Sequence, residues 1–184
     1  MKSHYLAHLF FLLSITLSWA QKPTKIVIEN AVFGDINQIV LPDVMLLQGN
    51  VRANHDGAVL TCNKAYYYTK ENYLKCFGEV QIVQGDTLSL TGNYAEYNGN
   101  IKQAFATGNV VLQSPEMNLT TDKINFNRNT QEAYYDTFGT IVNKENTLTS
   151  QTGKYFVKEK KYQFLTAVTL VNPQYIINSN HLDY

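Results

Sequence analysis

The sequence predicts an all-β fold of stacked antiparallel strand pairs, and two observations carry the prediction. Five aromatic residues, Tyr67, Tyr97, Phe126, Tyr155 and Tyr184, follow one another at intervals of 30, 29, 29 and 29 residues, and each closes the same short phrase. Between the phrases residues alternate with period two, interrupted by turn formers, as in Val80-Gln81-Ile82, then Gly85-Asp86, then Leu88-Ser89-Leu90. A fixed period near 29 residues marks one supersecondary unit stacked on the next. Period-two alternation between Gly, Pro, Asp and Asn marks short strands. No sustained helical spacing occurs after residue 20.

The chain opens on a segment that does not belong to the repeats. Lys2, an apolar run of 12 residues from Leu6 to Leu17, and Ser18-Trp19-Ala20 have the three parts of an export signal, with cleavage expected before Gln21. The run falls short of the roughly 20 apolar residues that span a membrane. Residues 21–184 are expected to form one domain. Within it, 21–48 reads as an N-terminal cap in which Ile26, Glu29, Ala31 and Phe33 repeat the phrase in worn form.

Each unit then has two halves. The first starts at a glycine with a β-branched residue two positions on: Gly49-Asn50-Val51, Gly78-Glu79-Val80, Gly108-Asn109-Val110 and Gly139-Thr140-Ile141, with Thr166-Ala167-Val168 as a degenerate fifth. The second half is the phrase itself. Seven residues before each aromatic stands Leu60, Leu90, Leu119, Leu148 or Ile177; a Thr or Asn, a small residue and Asn, Asp or Gln follow; two before the aromatic stands Ala65, Ala95, Ile124, Gly153 or Leu182. A regular strand would put the aliphatic and the residue five later on opposite faces. A bulge or corner at the small residue and its Asn would bring both to one interior. Polar turns after each aromatic, Thr69 to Asn72, Asn98-Gly99-Asn100, Asn127 to Thr130 and Lys158 to Lys161, favour antiparallel hairpins.

The interior so enclosed is expected to be Val51, Leu60, Val80, Ile82, Leu88, Leu90, Val110, Leu112, Met117, Leu119, Ile124, Phe126, Ile141, Leu148, Val168, Leu170 and Ile177. These side chains suit an ordinary core and an apolar ligand groove equally.

Composition narrows the chemistry. After cleavage 14 basic residues face 15 acidic ones, without a basic cluster, so the chain has no electrostatic claim on nucleic acid. Only His55 and His181 remain, in different units and without neighbouring ligands, so no metal site or cofactor is expected. No nucleophile motif or phosphate-binding glycine loop is present. Asp86, Glu116, Asp122 and Glu132 sit at turns and strand edges, where a catalytic pair is not expected. Cys62 and Cys76 flank one turn, about three residues out of register for a disulfide across a symmetric hairpin.

Gly-x-Val followed by aliphatic-Thr-small-Asn/Asp-x-Ala-x-Tyr resembles the OstA-like family, to which LptA and the N-terminal domain of LptD belong. The clearest copies are Gly78-Glu79-Val80 with Leu90-Thr91-Gly92-Asn93-Tyr94-Ala95-Glu96-Tyr97, and Gly108-Asn109-Val110 with Leu119-Thr120-Thr121-Asp122-Lys123-Ile124-Asn125-Phe126. The resemblance covers about residues 26 to 184. It implies a V-shaped β-jellyroll of antiparallel strands in the periplasm, without catalytic activity. Its apolar interior would hold the acyl chains of lipopolysaccharide (lipid A). Its terminal strands would join other OstA-like domains, or further copies of the chain head to tail, by strand addition. The chain departs from the pattern at Gly153 and Thr166, and no basic cluster marks a phosphate-binding rim: Lys64, Lys75, Lys102 and Lys123 are candidates, but lysine on exposed strand faces is ordinary. The other reading is a structural or adhesive envelope protein whose repeats close on an ordinary core.

Overall fold

The computed structural model describes residues 24–36, 42–86 and 88–184. The expected export signal, 1–20, lies outside them. The strands are β1 (Val27–Asn30), β2 (Phe33–Ile36), β3 (Val44–His55), β4 (Ala58–Tyr68), β5 (Tyr73–Gln84), β6 (Leu88–Asn98), β7 (Gln103–Gln113), β8 (Asn118–Asn127), β9 (Glu132–Tyr135), β10 (Gly139–Asn143), β11 (Asn146–Ser150), β12 (Thr152–Phe156), β13 (Lys161–Asn172) and β14 (Tyr175–Asp183). All pair antiparallel in one sheet, the all-β jellyroll class that the sequence predicts. From β3 to β8 each strand pairs with the next in sequence, because the turns between them are short and polar.

The burial pattern shows how one sheet encloses a core. Along β4, Leu60, Cys62, Ala65 and Tyr67 are all buried, so the alternation slips by one residue between Cys62 and Ala65. β6 repeats this with Leu90, Gly92, Ala95 and Tyr97. A flat strand would expose one pair of each set, so the strand folds over and both pairs face one interior. The sheet is thereby divided into two leaves joined at a line of corners. The first leaf contains the aromatic-bearing halves, such as 64–68, 73–77 and 94–98, together with β2, β9 and β12. The second contains the aliphatic-bearing halves, such as 58–62, 80–84 and 88–92, together with β1, β10 and β11.

The corner lies where the spacing places it, but the extra residue belongs to the partner strand. Gly78 and Glu79, with φ of 73° and 49°, together oppose Asn63 on β4 and Asn93 on β6. Gly49-Asn50, Gly108-Asn109 and Thr166-Ala167 make the same two-against-one bulge, each pair in the left-handed region. Glycine suits the first position because that region is closed to most side chains. A Cβ on Gly78 would also lie 3.0 Å from the Asn63 side chain, and one on Gly108 3.0 Å from Asn93. The glycine and the Asn of successive phrases therefore fit one another.

Two expectations shift register. Gly139 pairs with Thr121, the partner of Val110 in the preceding unit, so it fills the valine position and Ile141 the next aliphatic one. The left-handed residue of that corner is Phe138, φ 66°. In the cap, Ile28 pairs with Ala53 and Ile36 with Met45, so the worn copy runs two or more residues later than Ile26 and Phe33 suggest.

Candidate functional site

The interior is built as parallel rows of side chains running across the strands. Nearest the corners on the first leaf the residues are small: Ala65, Cys76, Ala95 and Ala106. Across from them the second leaf carries an aliphatic row, Ala53, Leu60, Ile82, Leu90, Leu112, Leu119, Ile141, Leu148 and Leu170, linked partner to partner through the ladder. Farthest from the corners, on the first leaf, stand Tyr67, Leu74, Tyr97, Ala104, Phe126, Ala133, Tyr155 and Tyr162. The repeated aromatics thus form one row along the mouth between the leaves.

Of the 17 interior residues expected from the sequence, all but Ile177 are buried. Ile177 continues the aliphatic row by pairing with Leu170, but it lies on β14, the outermost strand at that end, and is 40% exposed. Sequence reasoning missed Leu47, Leu74, Cys76, Ala104, Ala106, Tyr135, Tyr162 and Phe164, which are equally buried. Their signal was the alternation Leu74-x-Cys76, Ala104-x-Ala106 and Tyr162-x-Phe164 leading from each turn to the next corner. The interior is packed: two cavities between the leaves, one beside Leu60, Ile82 and Tyr97 and the other beside Ile141, Leu148 and Tyr184, hold about 10 Å³ each. That is at most the space of one water. Cys62 and Cys76 are buried free thiols on this wall, and contact with Cys62 together with burial pushes the Cys76 thiol up.

The mouth is closed by polar groups that reach from turn to turn across the leaves. Arg128, after β8 on the first leaf, donates to the His55 carbonyl at 3.0 Å, the Asp56 carbonyl at 3.1 Å and Gln84 Oε1 at 3.0 Å, all at the rim of the second leaf. It also donates to the Tyr97 hydroxyl at 2.7 Å. That hydroxyl then gives its proton to His55 Nδ1, 2.7 Å away, which leaves the ring proton on Nε2, facing the Thr24 carbonyl at 3.0 Å. Thr24 Oγ1 donates to Asp56 Oδ1 at 2.7 Å, and Lys102 pairs with the same carboxylate at 2.7 Å. These partners hold Asp56 below the ordinary carboxylate range, the Lys102 hydrogen bond contributing most. Further along, Lys160 pairs with Glu116, and Asn146 Nδ2 donates to the Tyr184 hydroxyl at 3.1 Å.

The other polar residues singled out in the sequence are scattered. Lys64, Lys75 and Lys123 lie on the outer face of the first leaf, over the rings of Tyr66, Tyr68 and Phe105, and Lys102 is at the mouth. His181 pairs with Asp183 at 3.0 Å on β14. Asp86 and Glu116 stand in turns and Asp122 and Glu132 on β8 and β9, and no hydrogen bond joins any two of these carboxylates among the described residues.

A bent antiparallel sheet whose stacked units share one apolar interior and end in open strand edges defines the class: a β-jellyroll of repeated hairpins. The family model described as OstA-like protein matches residues 23–180, and the chain belongs to the OstA-like family. That family consists of non-enzymatic transport domains associated with the periplasmic envelope and with lipopolysaccharide or lipid transport. No curated protein matches the chain in sequence.

Proposed function

We propose that this protein is a non-catalytic, periplasmic carrier of lipopolysaccharide that holds lipid A acyl chains between its two leaves and passes them to neighbouring OstA-like domains. The observation that carries the reading is the unbroken aliphatic row from Ala53 to Leu170, which crosses every unit and offers one continuous apolar track. Acyl chains reach the track by parting the mouth, where the Arg128, Lys102 and Lys160 contacts give way. The corners act as the hinge. The bridge extends by strand addition at the two ends of the sheet, where β14 and the β1–β2 pair have a side without a partner strand among the described residues, to another OstA-like domain or a second copy.

Photo-crosslinkers at Leu90, Leu119 and Ile124 are expected to capture lipopolysaccharide in the native envelope, and those at the outward Ser89 and Asn118 are not. Capture from the outward positions alone overturns the proposal. The tight packing of the interior favours a second reading, a structural envelope protein with a closed core, and that reading predicts capture from none of the five positions.

A further inference from the structure

The outer face of the first leaf contains a groove that an interior lipid would not touch. Cross-strand register sets Phe105, Asn125, Tyr134 and Lys154 in one row on β7, β8, β9 and β12, with Gln103 and Glu132 in the next row toward the mouth. Asn125 is short and lies between the two rings, so Phe105 and Tyr134 stand as walls two strands apart, roughly 10 Å. The notch between them has a volume of about 350 Å³, within the range of small-ligand sites. Among the described residues, the side chains of Gln103, Asn125 and Glu132 have no hydrogen-bond or ion-pair partner. Glu96, on the near side, is fixed: the hydroxyls of Tyr73 and Tyr94 both donate to it, and they outweigh the effect of burial to hold its carboxyl below the usual range.

We propose that this groove binds a pyranose unit of a neutral or amino-bearing glycan. A pyranose has an apolar C–H face and a rim of hydroxyls, each both donor and acceptor. Aromatic walls accept the face, the amides of Gln103 and Asn125 present a donor beside an acceptor, and the Glu132 carboxylate accepts from two neighbouring hydroxyls. Glu96 is paired with Lys75 at 3.9 Å, and Lys123, over the Phe105 ring, with Asp136 at 4.0 Å, which leaves Glu132 against Lys154 and no net positive charge to draw phosphorylated or acidic sugars. The matching row on the outer face of the second leaf, Thr61, Gln81, Thr91, Val111, Thr120, Thr140 and Thr149, has no ring at all and serves as an internal control.

The site lies outside the apolar interior, so its test stands apart from the crosslinking experiment. Titrating the protein with chitotriose, with maltotriose and with a sulfated heparin tetrasaccharide, and following side-chain amides by NMR, is expected to shift Gln103 and Asn125 with one or both neutral sugars. A dissociation constant of about 1 mM is anticipated. The sulfated probe gives no shift. Tyr134→Ala and Phe105→Ala each weaken the response about tenfold, with a smaller change in melting temperature for Tyr134→Ala, since Tyr134 is 37% exposed and Phe105 is half-buried on the outer face. Thr120→Ala and Thr140→Ala leave it unchanged. The proposal is overturned if neither neutral sugar shifts these amides up to roughly 20 mM, or if the aromatic variants bind normally. It is equally overturned if Tyr134→Ala abolishes self-association of the chain instead, which would make the face a contact between copies.

Discussion

The corner at Gly108-Asn109 and the one formed by Tyr135, Gly139 and Gly153 bend adjacent strands by opposite means. At the first, two left-handed residues form a bulge within an unbroken strand, opposite Asn93 and Asp122. At the second the chain breaks: Asp136 to Phe138 separate β9 from β10, and Gln151 separates β11 from β12. The gap is filled by the Tyr135 ring, only 2% exposed. A Cβ on Gly139 or Gly153 would fall 2.5 or 2.4 Å from that ring. The Tyr135 hydroxyl donates to Ser150 Oγ at 2.6 Å, which donates in turn to the Thr152 carbonyl at 2.9 Å. The difference teaches that the fold requires the bend and not one backbone device. It also explains why glycine replaces alanine at 153: the missing methyl is room for the tyrosine.

The largest effect is expected from breaking the plugged corner. Gly153→Ala drives a methyl into the Tyr135 ring and is expected to lower stability by about 3 kcal/mol, as overpacking of a rigid site does. Urea unfolding measures it, and a loss under about 1 kcal/mol would show that the ring can move aside. The bulged corners respond more mildly and with a sign that depends on the residue already present. Gly108→Ala, at φ 78° and with its new Cβ 3.0 Å from Asn93, should cost about 1–2 kcal/mol. Ala167→Gly, at φ 51°, should instead gain a few tenths of a kcal/mol, since relief of strain exceeds the added freedom of the unfolded chain. Paired melting curves with shifts in the same direction would contradict the shared bulge geometry.

The smallest effect lies at the mouth, remote from both corners. Asp56 has its folded pKa depressed by Lys102 and Thr24. Its contribution is therefore whole above the ordinary value of 3.8 and is lost as pH falls through the lower folded value. The group is exposed and screened, so the change is small. Asp56→Asn should flatten this acid limb in a comparison of wild-type and variant melting from pH 6 down to about pH 2.5, and an unaltered limb would show that the contact does not hold the mouth.

Much of this was legible in the chain. The 29-residue phrase announced the hairpins, and the five-residue offset from Leu90 to Ala95 required a corner. The inward aliphatic row was readable because repetition fixes phase. Register was lost where a unit departs from its neighbours. Gly139 looks like the bulge glycine, and only the space taken by Tyr135 reveals that it fills a valine position. The mouth contacts were invisible for a different reason. Arg128 and His55 are 73 residues apart, and nothing in the local pattern of either names the other. The outer groove likewise depends on strands β7, β8, β9 and β12 lying side by side, with β9 and β12 meeting across a broken unit.

Arg128 has a consequence for how the molecule comes apart. In a linear array each unit touches only its neighbours, so denaturant or tension peels units from an end, and stability is nearly a sum of adjacent terms. A guanidinium in the third aromatic unit grips two carbonyls in the turn of the first as well as Tyr97 and Gln84 of the second. It adds a next-nearest-neighbour coupling to the array. The first three units should then melt as a single cooperative block, with fraying confined to the end that terminates in β14.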